Sequence, residues 1–238
     1  MNKLRTIAFY ECATSVKYVL YFYCIQYGFV AIIATILAFT IGLEDVTFNG
    51  QEISSVIFLA IVGCMGMGDD FKTLLQNGFT RKYIFAGTVS LIIFLALALS
   101  SCDLLISRLM PLFFNESSSL FEQIYGTDSA VANWLWSLAL YFMIGFVCYF
   151  FRLLAHRLGK NGFIILGIVL IAVSILLAIY SYAIPDGIIN AVNTFLARAL
   201  GFVGGGRVNP YLPALTFTVI SAVLAGGSYI AIRGAELK

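Results

Sequence analysis

From Tyr18 to Leu43 the chain carries no charged side chain. A run of this kind constrains the fold more than any motif, because a helix needs roughly 17–25 mostly apolar residues to cross a bilayer core. Five further uncharged runs follow: Ile53 to Gly68, Tyr83 to Cys102, Ser129 to Phe151, Asn161 to Pro185 and Val208 to Ile232. The run from Ile53 is short and ends in glycine; the others are long enough to span with some tilt. Composition points the same way, with 61% apolar and 11% charged residues, where a soluble domain carries about a quarter charged. None of the runs alternates apolar with polar residues as a transmembrane barrel strand does. The expectation is an all-α polytopic membrane protein, one transmembrane domain over residues 1–238 with six spans.

The flanking segments set an expected orientation. The opening "MNKLRTIAFYECATSVK" lacks the compact apolar core and cleavage site of a signal peptide. It reads as an interfacial helix, with Leu4, Ile7, Ala8 and Cys12 on one face and Lys3 and Arg5 toward headgroups. With the N-terminus inside, Lys3, Arg5, Lys17, Lys72, Arg81, Lys82, Arg152, Arg157, Lys160, Arg233 and Lys238 are cytoplasmic. Only Arg108, Arg198 and Arg207 are then outside, and cytoplasmic loops are the ones enriched in Lys and Arg. The expected location is the plasma membrane, multi-pass, with both termini cytoplasmic. Basic residues dispersed in this way form no stripe for nucleic acid.

Among the outward segments, Pro111 should limit the extension of the third span. The segment from Asp186 to Leu200 carries Ile188, Ile189, Val192, Phe195, Leu196 and Leu200 at helical spacing. Asn190, Asn193, Thr194 and Arg198 fall on its other face, and Gly201 supplies a stop. It is too short to span, so it is expected to be an outer amphipathic helix between spans five and six. Cys12, Cys24, Cys64, Cys102 and Cys148 show no CxxC spacing and read as reduced packing residues.

Catalytic chemistry finds no foothold in this chain. HExxH, GxSxG and the phosphate-binding GxxxxGK[ST] are all absent, and the lone His156 reads as a solvated interfacial histidine, not as a proton relay or metal ligand. No catalytic, cofactor or metal residues are therefore expected. Span centres are free of charge; Asp103, at the end of the third run, comes nearest, with Arg108 as its expected partner.

One polar island remains, "DDFKTLLQNGFTRK", from Asp69 to Lys82. Asp69 and Asp70 suit a helix start, while Phe71, Leu74, Leu75 and Phe79 make one apolar face opposite Lys72, Thr73, Gln76 and Asn77. Asn77 and Gly78 form a stop, Thr80 is placed to cap the next helix, and Arg81 and Lys82 enter the headgroup layer. The island reads as a short amphipathic cytoplasmic helix, held by lipid, neighbouring helices or a partner.

That loop, "LLQNGFTRKYIFAG" from Leu74 to Gly87, resembles the loop between spans two and three of ABC-2 type permeases, the membrane subunits of ATP-binding-cassette exporters. The layout of interfacial helix, six spans and outer helix, and the closing "YIAIRGAELK", are similar as well. Gly78 stands where that family often has proline. The resemblance implies a coupling helix whose partner-binding residues are Asp69, Asp70, Phe71, Leu74, Leu75, Gln76, Asn77, Gly78, Arg81 and Lys82. It also implies a cytoplasmic ATPase subunit that holds ATP and Mg, a second permease subunit making a homo- or heterodimer, and a peptide, toxin or lipid-like substrate. The rival expectations are a non-transporting accessory or immunity protein, and an ion-coupled carrier or channel.

Overall fold

The computed structural model describes residues 3–40, 47–65, 74–112, 114, 116–126, 129–180, 186–203 and 207–233. Within them the chain is almost entirely helical. Helix α1 runs Lys3–Thr40, β1 is Thr47–Asn49, and α2 is Glu52–Met65. After a helical turn at 74–76 come α3, Arg81–Leu109, and a 3-10 turn at Met110–Leu112. Strand β2 is Glu116–Ser118 and α4 is Leu120–Tyr125. Helices α5, Ala130–Tyr180, α6, Asp186–Ala199, and α7, Tyr211–Arg233, complete the order.

Among the described residues four helical stretches are long and apolar enough to cross a membrane: Arg5–Leu37, Arg81–Leu112, Ala130–Gly159 and Tyr211–Arg233. Glu52–Met65 and Ile164–Leu176 are apolar but shorter. The separate interfacial helix expected at the N-terminus is the beginning of α1 instead. Nothing between Lys17 and Tyr18 breaks a helix, and the long Lys side chain reaches polar surroundings without a turn in the backbone. The expected loop after span four is likewise a single break, at Gly159 (φ 72°, ψ 174°), inside α5. Pro111 stands where expected, in the turn that ends α3.

Helix α5 is the centre of the bundle, packed against α2, α3 and α7, while α1 lies along α3. At one end of the bundle, Ile84 and Ile92 of α3 meet Phe146, Tyr149 and Leu153 of α5 and Ala231 and Ile232 of α7. Midway, Val19, Leu59, Leu91, Leu95, Leu99 and Tyr141 join α1, α2, α3 and α5. Phe121, Tyr125, Ala132 and Trp136 fill the other end. Helices α2 and α5 touch backbone to backbone. A Cβ at Gly63 would lie 2.8 Å from the Gly145 carbonyl oxygen and 3.0 Å from Cys148 Cβ, the close approach that small residues allow between apolar helices.

The chain shuttles between these two ends. Leu153 packs beside Ile232, whereas the Leu200 carbonyl accepts from Tyr125 Oη beside Trp136. Between Gly159 and Leu200 the chain therefore returns over roughly the 25 Å that separate Trp136 from Leu153 along α5. A feature the sequence did not suggest closes the Trp136 end: β1 pairs in parallel with β2, Phe48 opposite Ser117.

Candidate functional site

Three features gather around α3, and its spacing explains why. Ile84, Thr88, Leu91, Leu95, Leu99 and Asp103 recur every three or four residues and lie on one buried face of that helix. That face passes from the 74–80 loop, along a groove, to a buried carboxylate.

The loop is closed by hydrogen bonds. Gly78 N–H donates to the Leu75 carbonyl (3.0 Å) and Phe79 N–H to the Leu74 carbonyl (3.1 Å). These are the paired bonds of a helix stop whose left-handed residue is glycine, and Gly78 has φ 76°. The stop turns Leu74, Leu75 and Phe79 against the cluster of Ile84, Tyr149 and Ile232. Half-buried there, their apolar face rests on the chain's own helices. Gln76, Asn77 and Gly78 are exposed. Thr80 occupies the cap position of α3 but makes no side-chain cap bond; its carbonyl accepts from Tyr83 and Ile84 N–H instead. Arg81 Nη1 donates to the Arg233 carbonyl (3.0 Å), tying the start of α3 to the end of α7. Of the expected partner-binding residues, Leu74, Leu75, Gln76, Asn77, Gly78, Arg81 and Lys82 thus lie in one patch. Asp69, Asp70 and Phe71 fall outside the described residues.

The groove, about 300 Å³, lies between α1, α2 and α3, with Leu74 also lining it. Tyr10, Glu11, Thr14, Ser15 and Tyr18 supply one wall; Ile61, Val62, Met65, Leu91 and Leu95 supply the other. An apolar wall facing a polar one suits an amphipathic molecule, at the small end of ligand-pocket volumes.

At the far end Asp103 is 2% exposed. Tyr23 Oη donates to its Oδ1 (2.8 Å) and Tyr141 Oη to its Oδ2. Gln51 Nε2 donates to the Asp103 carbonyl (3.1 Å), and Tyr27 Oη donates to Gln51 Oε1 (3.2 Å). The Asp103 side chain thus joins α3 to α1 and α5, and its backbone carbonyl holds the residue ahead of α2. Glu52, equally buried, accepts the Leu120 N–H (3.1 Å) at the start of α4. Ser119 and Glu122 close a capping box there, and Asn133 Nδ2 donates to Ser119 Oγ (3.1 Å). The expected ion partner of Asp103, Arg108, is exposed and lies five residues along the helix, on a different face. Sequence reasoning found the aspartate but not its phenols, because a tyrosine in an apolar run looks like any packing aromatic.

Among the described residues no group of three His, Cys, Asp or Glu is placed to hold a metal ion. No family model, curated protein or solved structure matches this chain.

Proposed function

We propose that the chain is the membrane-spanning permease subunit of an ATP-binding-cassette exporter, of the ABC-2 type, and moves an amphipathic or hydrophobic substrate. The observation that carries this reading is the 74–81 loop. Its Gly78 stop exposes Gln76, Asn77 and Gly78, while Leu74, Leu75 and Phe79 bear on the α3–α5–α7 core. A force applied to the exposed tip passes into α3 through packed side chains, which transmit displacement because they are close-packed. The ATP and Mg sit in the cytoplasmic partner, and the expected partner-binding residues Asp69, Asp70 and Phe71 belong to the same stretch of sequence. A second permease subunit completes the membrane assembly.

In this reading the chain crosses six times. Glu52–Met65 and the stretch around Ile164–Leu176 are the two short crossings, the Arg81 end is cytoplasmic and the Asp103 end is outside. The return of the chain between Gly159 and Leu200 supports the fifth crossing. The groove beneath Leu74 receives substrate from the cytoplasmic side or the inner leaflet, and the Asp103 cluster seals the outer end. Coexpression with a cytoplasmic ATPase subunit tests the whole. The pair should co-purify and show substrate-stimulated ATP hydrolysis in liposomes, and a chain that purifies alone from such membranes would count against it.

A second reading, an ion-coupled carrier, is favoured by Asp103, since a buried carboxylate in an apolar helix commonly marks an ion path. Both its oxygens accept from phenols, and the groove stops at Leu95, roughly 12 Å short along the helix. An ion-gradient-driven flux abolished by Asp103→Asn, with no ATPase bound, would favour the carrier.

A further inference from the structure

A notch of about 530 Å³ opens where α3 begins and α7 ends, lined by Leu75, Thr80, Arg81, Lys82, Tyr229, Ile232 and Arg233. Three of these side chains are cationic, and no acidic side chain lines the notch among the described residues. Lys82 and Arg233 are exposed, while Ile232 forms a buried floor. Arg81 is held in place by its bond to the Arg233 carbonyl. Such a trio of like charges is self-repelling, and an anion between them would relieve that repulsion. The height of the notch identifies the anion's source. Two membrane-length helices, Arg81–Leu112 and Tyr211–Arg233, have their ends at this level, which is where headgroups lie and where Tyr, Lys and Arg anchor spans. We propose that the notch binds the phosphate of an anionic phospholipid. Lys82 and Arg233 face the phosphate oxygens, Arg81 supplies the fixed charge behind them, and Leu75 and Ile232 meet the first carbons of the lipid.

This site depends on membrane insertion and not on the exporter reading, so it is tested on the purified chain alone. Full-length protein in a neutral detergent is titrated with dioleoylphosphatidylglycerol or dioleoylphosphatidylcholine, and bound lipid is counted by native mass spectrometry. Each headgroup-level charge removed should weaken phosphatidylglycerol binding about fivefold, so Lys82→Gln with Arg233→Gln should weaken it about 25-fold. Phosphatidylcholine binding should not change, and added salt should weaken only the phosphatidylglycerol complex. Arg233→Lys keeps the charge and should keep most of the binding. Arg198→Gln with Arg207→Gln should leave binding unaltered. Wild-type phosphatidylglycerol binding by the double Gln variant would overturn the proposal. Equal loss in Arg233→Lys and Arg233→Gln would also overturn it, by showing a structural role. Displacement of the lipid by millimolar inorganic phosphate would make the ligand a soluble phosphate and likewise defeat the lipid assignment.

Discussion

Replacing Asp103 by Asn keeps the shape of the side chain and turns one of the two oxygens beside Tyr23 and Tyr141 into an amide NH2 that cannot accept. Hydrogen bonds between apolar helices average about 0.6 kcal/mol, and bonds to charged groups are worth about 1.5–3 kcal/mol. Asp103→Asn should therefore cost about 1.5 kcal/mol of stability in detergent unfolding. Tyr141→Phe should cost a similar amount, and the pair should cost less than the sum, since both changes break one bond. Additive losses would mean that the phenol and carboxylate do not act together. Sequence alone could name Asp103, a lone acid at the end of an apolar run. It could not name Tyr23 or Tyr141, which lie 80 and 38 residues away among aromatics of identical appearance. Gln51 and Glu52 stand in a short polar stretch between the first two apolar runs, yet both are buried. Only the folded chain brings them under α4 and beside Asp103.

Helices end where backbone chemistry ends them, and two stops were readable in the sequence for that reason. Gly78 and Gly201 both adopt positive φ. At Gly201 the bonds run from Gly201 N–H to the Arg198 carbonyl and from Phe202 N–H to the Ala197 carbonyl, as at Gly78. Gly78→Ala should cost about 1–2 kcal/mol, the strain of a left-handed L-residue, measured as a lowered unfolding midpoint. The Gly63 approach makes a sharper prediction. Gly63→Leu pushes α2 off α5 and should cost about 1–3 kcal/mol or more, whereas Gly167→Leu, with open space at its Cβ, should be nearly neutral. The start of α1 differs from expectation because Lys17 marks a change in polarity but breaks no helix. Strands β1 and β2 were missed because three residues are too few to show a period. Helix α6 was readable, and Ile188, Val192, Phe195 and Leu196 are exposed along it, an apolar face turned away from the chain itself. Leu196→Asp should therefore lower accumulation in the membrane, at a cost of about 1–3 kcal/mol near an interface, while Asn193→Asp should be mild.

At the scale of the molecule, Ile7, Leu75, Leu153 and Ile232, each near a basic segment assigned to one side, gather at the Arg81 end. The segments assigned to the other side gather at the Asp103 end, where Gln51, Leu120 and Leu200 meet. This sorting was readable because charge density separates loops from spans. The groove was not, because its walls come from α1, α2 and α3 and carry no motif. If the Arg81 end is cytoplasmic, a single cysteine at Asn77 in a cysteine-free chain should resist an impermeant thiol reagent outside intact cells, and one at Ser118 should react. The seating of Leu74, Leu75 and Phe79 on the core also redirects the test of the loop. Alanine there should loosen the protein as well as any partner, so the informative positions are exposed Gln76 and Asn77. A bulky Asn77→Trp should leave stability unchanged and weaken an ATPase complex about twentyfold or more, as blocking a central anchor would. The most direct measurement places a photo-crosslinking residue with a small aliphatic diazirine side chain, without the bulk of Trp, at Asn77 in the complex coexpressed with an ATPase subunit. The exporter reading predicts an adduct between this chain and the nucleotide-binding subunit from Asn77, and none from the same residue placed at Ser118. No adduct at Asn77, or equal adducts from both positions, would contradict it.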